Sequence, residues 1–131
     1  MNKKTDLNIF RSLLFIFDID NPDNDSKIRQ DIIASKNIND IRELSELFDT
    51  ILKPEFLAYT PEARERCIKT LKYFLNTDEN FDFLFDKITT HFNDDIEDQR
   101  HFMRTLHHCL NRYNTKVQHR AQNTHSLKKA N

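Results

Sequence analysis

The sequence predicts an all-α fold, an irregular bundle of five or six helices with a flexible basic C-terminal tail, and three observations carry that expectation. Apolar residues recur at spacings of three and four through most of the chain, the pattern of helices with one face turned inward. The 131 residues include no Gly, which removes the best residue for two-residue hairpin turns. Polar caps stand in front of apolar runs, most clearly at Thr60-Pro61-Glu62, where a Thr cap precedes Pro at the first helical position. Residues 1–117 are expected to form one helical domain, and residues 118–131, where Leu127 is the only large apolar residue, a mobile basic tail.

The first helix is expected from Asp6 to Ile19, with Thr5 as its cap and Ile9, Phe10, Leu13, Leu14 and Phe17 on one broad face. Phe15, Ile16 and Ile19 widen that face until the helix is nearly surrounded, which makes it the candidate centre of the core. Asp20 to Ser26 reads as a loop, because Pro22 disfavours helix at Asn21 and the Asx residues make local turns. Asp25 or Ser26 caps a short second helix ending near Lys36. The third runs from Asn39 to Lys53 on Ile41, Leu44, Leu47, Phe48, Ile51 and Leu52, and Pro54 stops it. The fourth carries Ala63, Cys67, Ile68, Leu71, Phe74 and Leu75 inward, and the fifth, capped by Thr77 or Asp78, carries Phe81, Leu84, Phe85, Ile88 and Phe92. Asp94 or Asp95 caps the sixth, whose stripe is Phe102, Met103, Leu106, Leu110, Tyr113 and Val117 and whose acidic start and basic end suit the helix dipole.

Composition also excludes chemistry. Dinucleotide fingerprints and phosphate-cradling P-loops need glycine for their tight turns and close backbone approach, so neither exists here. The longest apolar run, Leu13 to Phe17, is too short to span a membrane, and no signal-peptide pattern is present. Cys67 and Cys109 are too few for a disulfide framework and are expected as buried thiols in the cytoplasm.

Charge is divided along the chain. Residues 1–98 hold 13 bases against 21 acids, a charge of -8, whereas residues 99–131 hold seven bases, no acid and five of the six His. The basic end (Arg100, Arg104, Arg112, Lys116, Arg120, Lys128 and Lys129), with Tyr113 to stack on a base, supports nucleic-acid binding as the alternative function. Glu97, His101 and His108 share a helix face, but HExxH and CxxC patterns are absent, so no metal and no cofactor is expected. Glu43-x-x-Glu46 and Glu62-x-x-Glu65 resemble the paired carboxylates of helical nucleotide pyrophosphatases of the MazG type, which implies magnesium-dependent nucleotide hydrolysis, although that family's second pair is usually Glu-x-x-Asp. Exposed helices place Glu beside bases at the same spacing, and the chain is read as a non-enzyme.

The acids of the body are the strongest lead. Asp18, Asp20, Asp23 and Asp25 surround the first loop, and Asp40, Glu43, Glu46 and Asp49 follow the third helix. Such surfaces attract basic partners and speed their capture. In size, helical make-up and acidic body the chain resembles the immunity proteins of bacterial contact-dependent growth inhibition and colicin-like systems. The resemblance implies a cytoplasmic inhibitor that binds a cognate basic toxin domain, often a nuclease, and covers its active site or an essential surface. Those eight acids are the expected partner-binding residues, and Phe15 or Phe56, if exposed, would anchor the interface.

Overall fold

The computed structural model describes the backbone at residues 3–78, 80–86 and 89–130 and the side chains at 9–22, 25–78, 80–82, 84–86 and 89–117. Among these residues the fold is all-α. The helices are α1 (Lys3–Leu14), α2 (Lys27–Ala34), α3 (Ile41–Leu47), α4 (Lys53–Leu57), α5 (Pro61–Leu75), α6 (Asp82–Phe85) and α7 (Gln99–Ala130). Short 3-10 turns follow α1 at Phe15–Phe17 and precede α2 at Pro22–Asp25. No helix among the described residues is long and apolar enough to cross a membrane.

Capping explains where several helices start. Thr60 accepts from the Ala63 N–H at 3.2 Å and Pro61 stands first in α5, as expected. Asp40 caps α3, its Oδ1 accepting from the Arg42 and Glu43 N–H groups at 2.9 and 3.2 Å. Asp98, rather than Asp94 or Asp95, caps α7, accepting from the His101 N–H at 3.0 Å; that bond holds its carboxyl below the usual carboxylate range.

Pro54 does not end the third helix. Phe48–Leu52 forms a π-helical segment, with the Lys53 N–H donating to the Phe48 carbonyl, and α4 continues through Leu57. A proline ring inside an α-helix clashes with the carbonyl four residues earlier, here that of Thr50. The wider π turn relieves that clash, so the chain passes Pro54 as one rod of three helical pieces.

The first and fifth expected helices are shorter than their apolar patterns. Beyond Leu14 the first tightens into a 3-10 turn and then extends at Asp18, which leaves Phe15 41% exposed. The fifth is one turn, because Thr89 to His91 pair with the chain after α1 instead. The Ile19 N–H donates to the Thr89 carbonyl at 2.8 Å and the His91 N–H to the Phe17 carbonyl at 3.0 Å, around an isolated antiparallel bridge between Asp18 and Thr90. Ile88, expected on that helix, lies outside the described residues.

The centre of the fold is α7 rather than the first helix: α3, the π segment, α4 and α5 all pack on it. The core joins Phe10, Leu13, Leu14 and Phe17 to Leu44, Leu47, Phe48, Phe56, Phe102, Leu106 and Tyr113. Cys67 and Cys109 are buried free thiols, as expected, and burial pushes Cys67 up to about 12. Past Val117, where the apolar stripe ends, the backbone stays helical to Ala130; the side chains of the expected tail lie outside the described residues.

Candidate partner-binding surface

The expected acidic residues differ in exposure and in the partners they already hold. Asp18 is 4% exposed, and its carboxylate accepts from the Asp20 N–H at 2.8 Å and the Thr89 N–H at 3.3 Å. It fastens the bridge to Thr90 and is closed to a partner, which corrects its assignment. Asp20 and Asp25 are exposed at the first loop, and the side chain of Asp23 lies outside the described residues. Glu46 binds Lys36 at 2.9 Å, with Arg42 at 3.7 Å, and the Lys36 hydrogen bond holds its carboxyl low. Glu43 faces the Asn37 N–H at 3.4 Å. Asp49 accepts from Arg112 at 2.6 Å and from the Tyr113 hydroxyl, tying the π segment to α7. Burial, then that bond to Asp49, pushes the Tyr113 phenol up. Phe56 is fully buried, so of the two expected anchors only Phe15 reaches the surface.

What converges is a different set. Asp40 at the start of α3 shares an open groove of about 650 Å³ with Asp94, Asp95 and Glu97 from the segment before α7, and the remaining lining is Asn37 and Asn39. Asn39 joins the two walls. Its Nδ2 donates to the Asp95 carbonyl at 2.9 Å, and its Oδ1 accepts from the Glu97 N–H at 3.0 Å. Asn39 in turn rests on Asn37, whose Oδ1 accepts its N–H at 3.0 Å. Among the described residues no base lines the groove, and no hydrogen bond or ion pair engages the side chains of Asp94, Asp95 or Glu97. Four carboxylates on one concave surface therefore focus a negative field on solvent.

Asp94, Asp95 and Glu97 are missed by a reading that assigns them to capping the last helix. Asp98 does that work, and what frees the other three is invisible locally, since Asn39 lies 56 and 58 positions from its two loop partners.

The other sequence candidates disperse. No group of three or more His, Cys, Asp or Glu among the described residues is placed to hold a metal ion. Glu97, His101 and His108 therefore do not assemble as ligands, and neither do Glu43, Glu46, Glu62 and Glu65. At the basic end, Arg100 donates to the Leu75 carbonyl at 2.6 Å and lies over the Phe81 ring, Arg112 holds Asp49, and Tyr113 is buried and cannot stack on a base. No family model, curated protein or solved structure matches the chain.

His107 supplies a pH test of the packing around α7. Burial, then Lys72 and His108, hold its imidazole below the ordinary histidine range, and its Nε2 is buried without a hydrogen-bond partner among the described residues. The unfolded chain binds this proton more readily than the folded one. The contribution is therefore fully present above about pH 6.5 and is lost as pH falls below that value. The melting temperature should fall by roughly 1–3 °C from this group between pH 7.5 and 5.5. Comparison of the two slopes in thermal melts of the native chain and His107→Gln checks it; equal slopes would remove His107 from the account.

Proposed function

We propose that the protein is a non-enzymatic, protein-binding inhibitor, an immunity protein that neutralises a cognate basic toxin domain, most simply a nuclease, through the acidic groove between α3 and the segment before α7. The observation that carries the reading is the groove itself: Asp40, Asp94, Asp95 and Glu97 come from distant segments and face solvent together with no base among them. A cleft lined by one sign of charge steers an oppositely charged partner toward it and raises the rate of capture. The active site of a nuclease is basic because its substrate is a polyanion, so a surface of carboxylates can take the place of phosphates. Exposed Asp20, Asp25 and Phe15 extend the contact on the side of the first loop.

The reading is tested by capture from native lysate, with and without nuclease treatment, followed by mass spectrometry and a growth assay. One basic protein is expected at stoichiometric level; expressed alone it should arrest growth, and co-expression of this chain should restore it. Asp94→Lys, Asp95→Lys and Glu97→Lys together should weaken the complex by about two orders of magnitude, ~2.8 kcal/mol, and abolish rescue. Undiminished binding by the triple variant would move the interface elsewhere. Recovery of nucleic acid alone would favour the alternative function, carried by the bases of the last helix.

A further inference from the structure

The groove has a neighbour. A cavity of about 390 Å³ is walled by Phe85, Phe92 and Ile96, with Thr89 and Thr90 on one side, and it shares Asp94 and Asp95 with the acidic groove. The three apolar residues are half-buried and pack on the core, so what they show to the cavity is a small apolar patch beside two carboxylates in a lining that is otherwise polar. We propose that this cavity is a socket for one arginine side chain of a basic protein partner, an inference that rests on the partner-binding reading and names the group that reading leaves open.

The chemistry of the lining selects that occupant. A guanidinium is planar and weakly hydrated, lies on aromatic faces, and pairs with a carboxylate through two parallel N–H bonds. Its aliphatic stem covers apolar surface while the charged head stays at the rim. An ammonium is compact and strongly hydrated, and gains less from the aromatic wall. A neutral apolar side chain would leave Asp94 and Asp95 unmatched. Among the described residues no Lys or Arg lines the cavity.

The socket is also held in shape before anything binds. On one side the Thr89 carbonyl accepts from the Ile19 N–H at 2.8 Å, and the Thr89 N–H donates to Asp18. On the other, Asn39 grips the Asp95 carbonyl and the Glu97 N–H. Phe92 is packed against Phe17 and Phe102, with ring centroids at 5.3 and 5.9 Å. A wall fixed at both ends gives up little conformational freedom on binding, so more of each contact appears as affinity.

The test uses the full chain, labelled with nitrogen-15, titrated with three capped tripeptides, Gly-Arg-Gly, Gly-Lys-Gly and Gly-citrulline-Gly. The arginine probe should shift the amides of Thr89, Thr90, Ile96 and Gln99 saturably, with a Kd of about 1–10 mM. The lysine probe should bind at least ~3-fold more weakly and the neutral citrulline probe at least ~10-fold. Asp94→Asn with Asp95→Asn, which keeps the shape of the rim, should abolish the preference for charge, and Ile96→Ser should weaken arginine without equalising citrulline. Equal binding of arginine and lysine, untouched by Ile96→Ser, would overturn the socket in favour of diffuse attraction, and absence of saturable shifts would overturn it outright. Capture of a basic partner through Asp94–Glu97 with no arginine response would remove the socket and leave the inhibitor reading standing. A saturable, arginine-selective response without any captured partner would do the reverse.

Discussion

Phe102→Ala is expected to lower the free energy of unfolding by about 4 kcal/mol, the middle of the range for a buried aromatic cut to Ala. Phe102 is the meeting point of the aromatic core. It stands edge-on to Phe48 and to Phe85, both at 5.4 Å between centroids, and lies 5.9 Å from Phe92. Those rings belong to the π segment, α6 and the segment before α7, while Phe17, on the turn after α1, touches both Phe48 and Phe92. Removing the central ring leaves a hole bounded by elements that are each fixed elsewhere, so the site cannot collapse and the cavity adds to the lost burial. Thermal denaturation should show a midpoint roughly 12–20 °C lower, with Phe102→Leu near half that loss. A loss under about 1 kcal/mol would mean that the rings close over the gap and that the cluster does not hold its elements as described.

The second large effect is expected at Arg64, which is 7% exposed and has no carboxylate within reach among the described residues. Its charge is met by dipoles. Nε donates to the Asn114 Oδ1 at 3.0 Å, and Nη1 donates to the Leu57 and Tyr59 carbonyls at 3.3 and 3.1 Å. One guanidinium thus satisfies two carbonyls left at the end of α4 and joins them to α7. Arg64→Met fills similar space but leaves those carbonyls and the Asn114 amide without their donor, a loss of about 3 kcal/mol. Arg64→Lys should recover little of it, since an ammonium lacks the fork that spans the three acceptors. Chemical denaturation of Arg64→Met, Asn114→Ala and the double variant checks the link. The pair should fall short of additivity by at least ~1 kcal/mol, and strict additivity would show that Arg64 and Asn114 act independently.

Local signals are readable where local physics decides. The Thr60-Pro61 start survives because the cap and its donor lie within three residues, and the apolar stripes of the third, fourth and last helices become buried faces for the same reason, with Ile41 the exposed exception. Three features need information from far along the chain. Phe81, Leu84, Phe85 and Phe92 have helical spacing, yet the backbone at Thr89 to His91 is captured by Phe17 to Ile19, a pairing across about 70 residues that no local window contains. Asp18 reads as one more surface acid in a polar loop, and only that same pairing buries it. The acids at Asp40 and at Asp94 to Glu97 are both conspicuous, but their meeting depends on Asn39, an amide with no distinguishing neighbours in the sequence. The pattern of apolar residues therefore reports which elements are present, and the polar residues that decide how loops dock leave almost no trace in it.

The π turn at Phe48–Leu52 makes chain length in this rod a matter of rotational phase. Each α-helical residue advances the side chains by about 100°, so the side chains beyond the turn are aimed by the number of residues in it as much as by their identity. Leu44 and Leu47 before the turn and Phe56 after it all point into one core only because the extra backbone of the wide turn resets the angle between them. Gain of a single further residue there would swing Phe56 away from Tyr113, whatever residue was added, whereas loss of one would return the turn to ordinary α-helix. A surface loop absorbs such a change of length; this segment, although it carries exposed Asp49 and Thr50, cannot. Homologous chains are therefore free to vary Thr50 but not to lengthen the turn around it, while Asp49 keeps its tie to Arg112 and Tyr113.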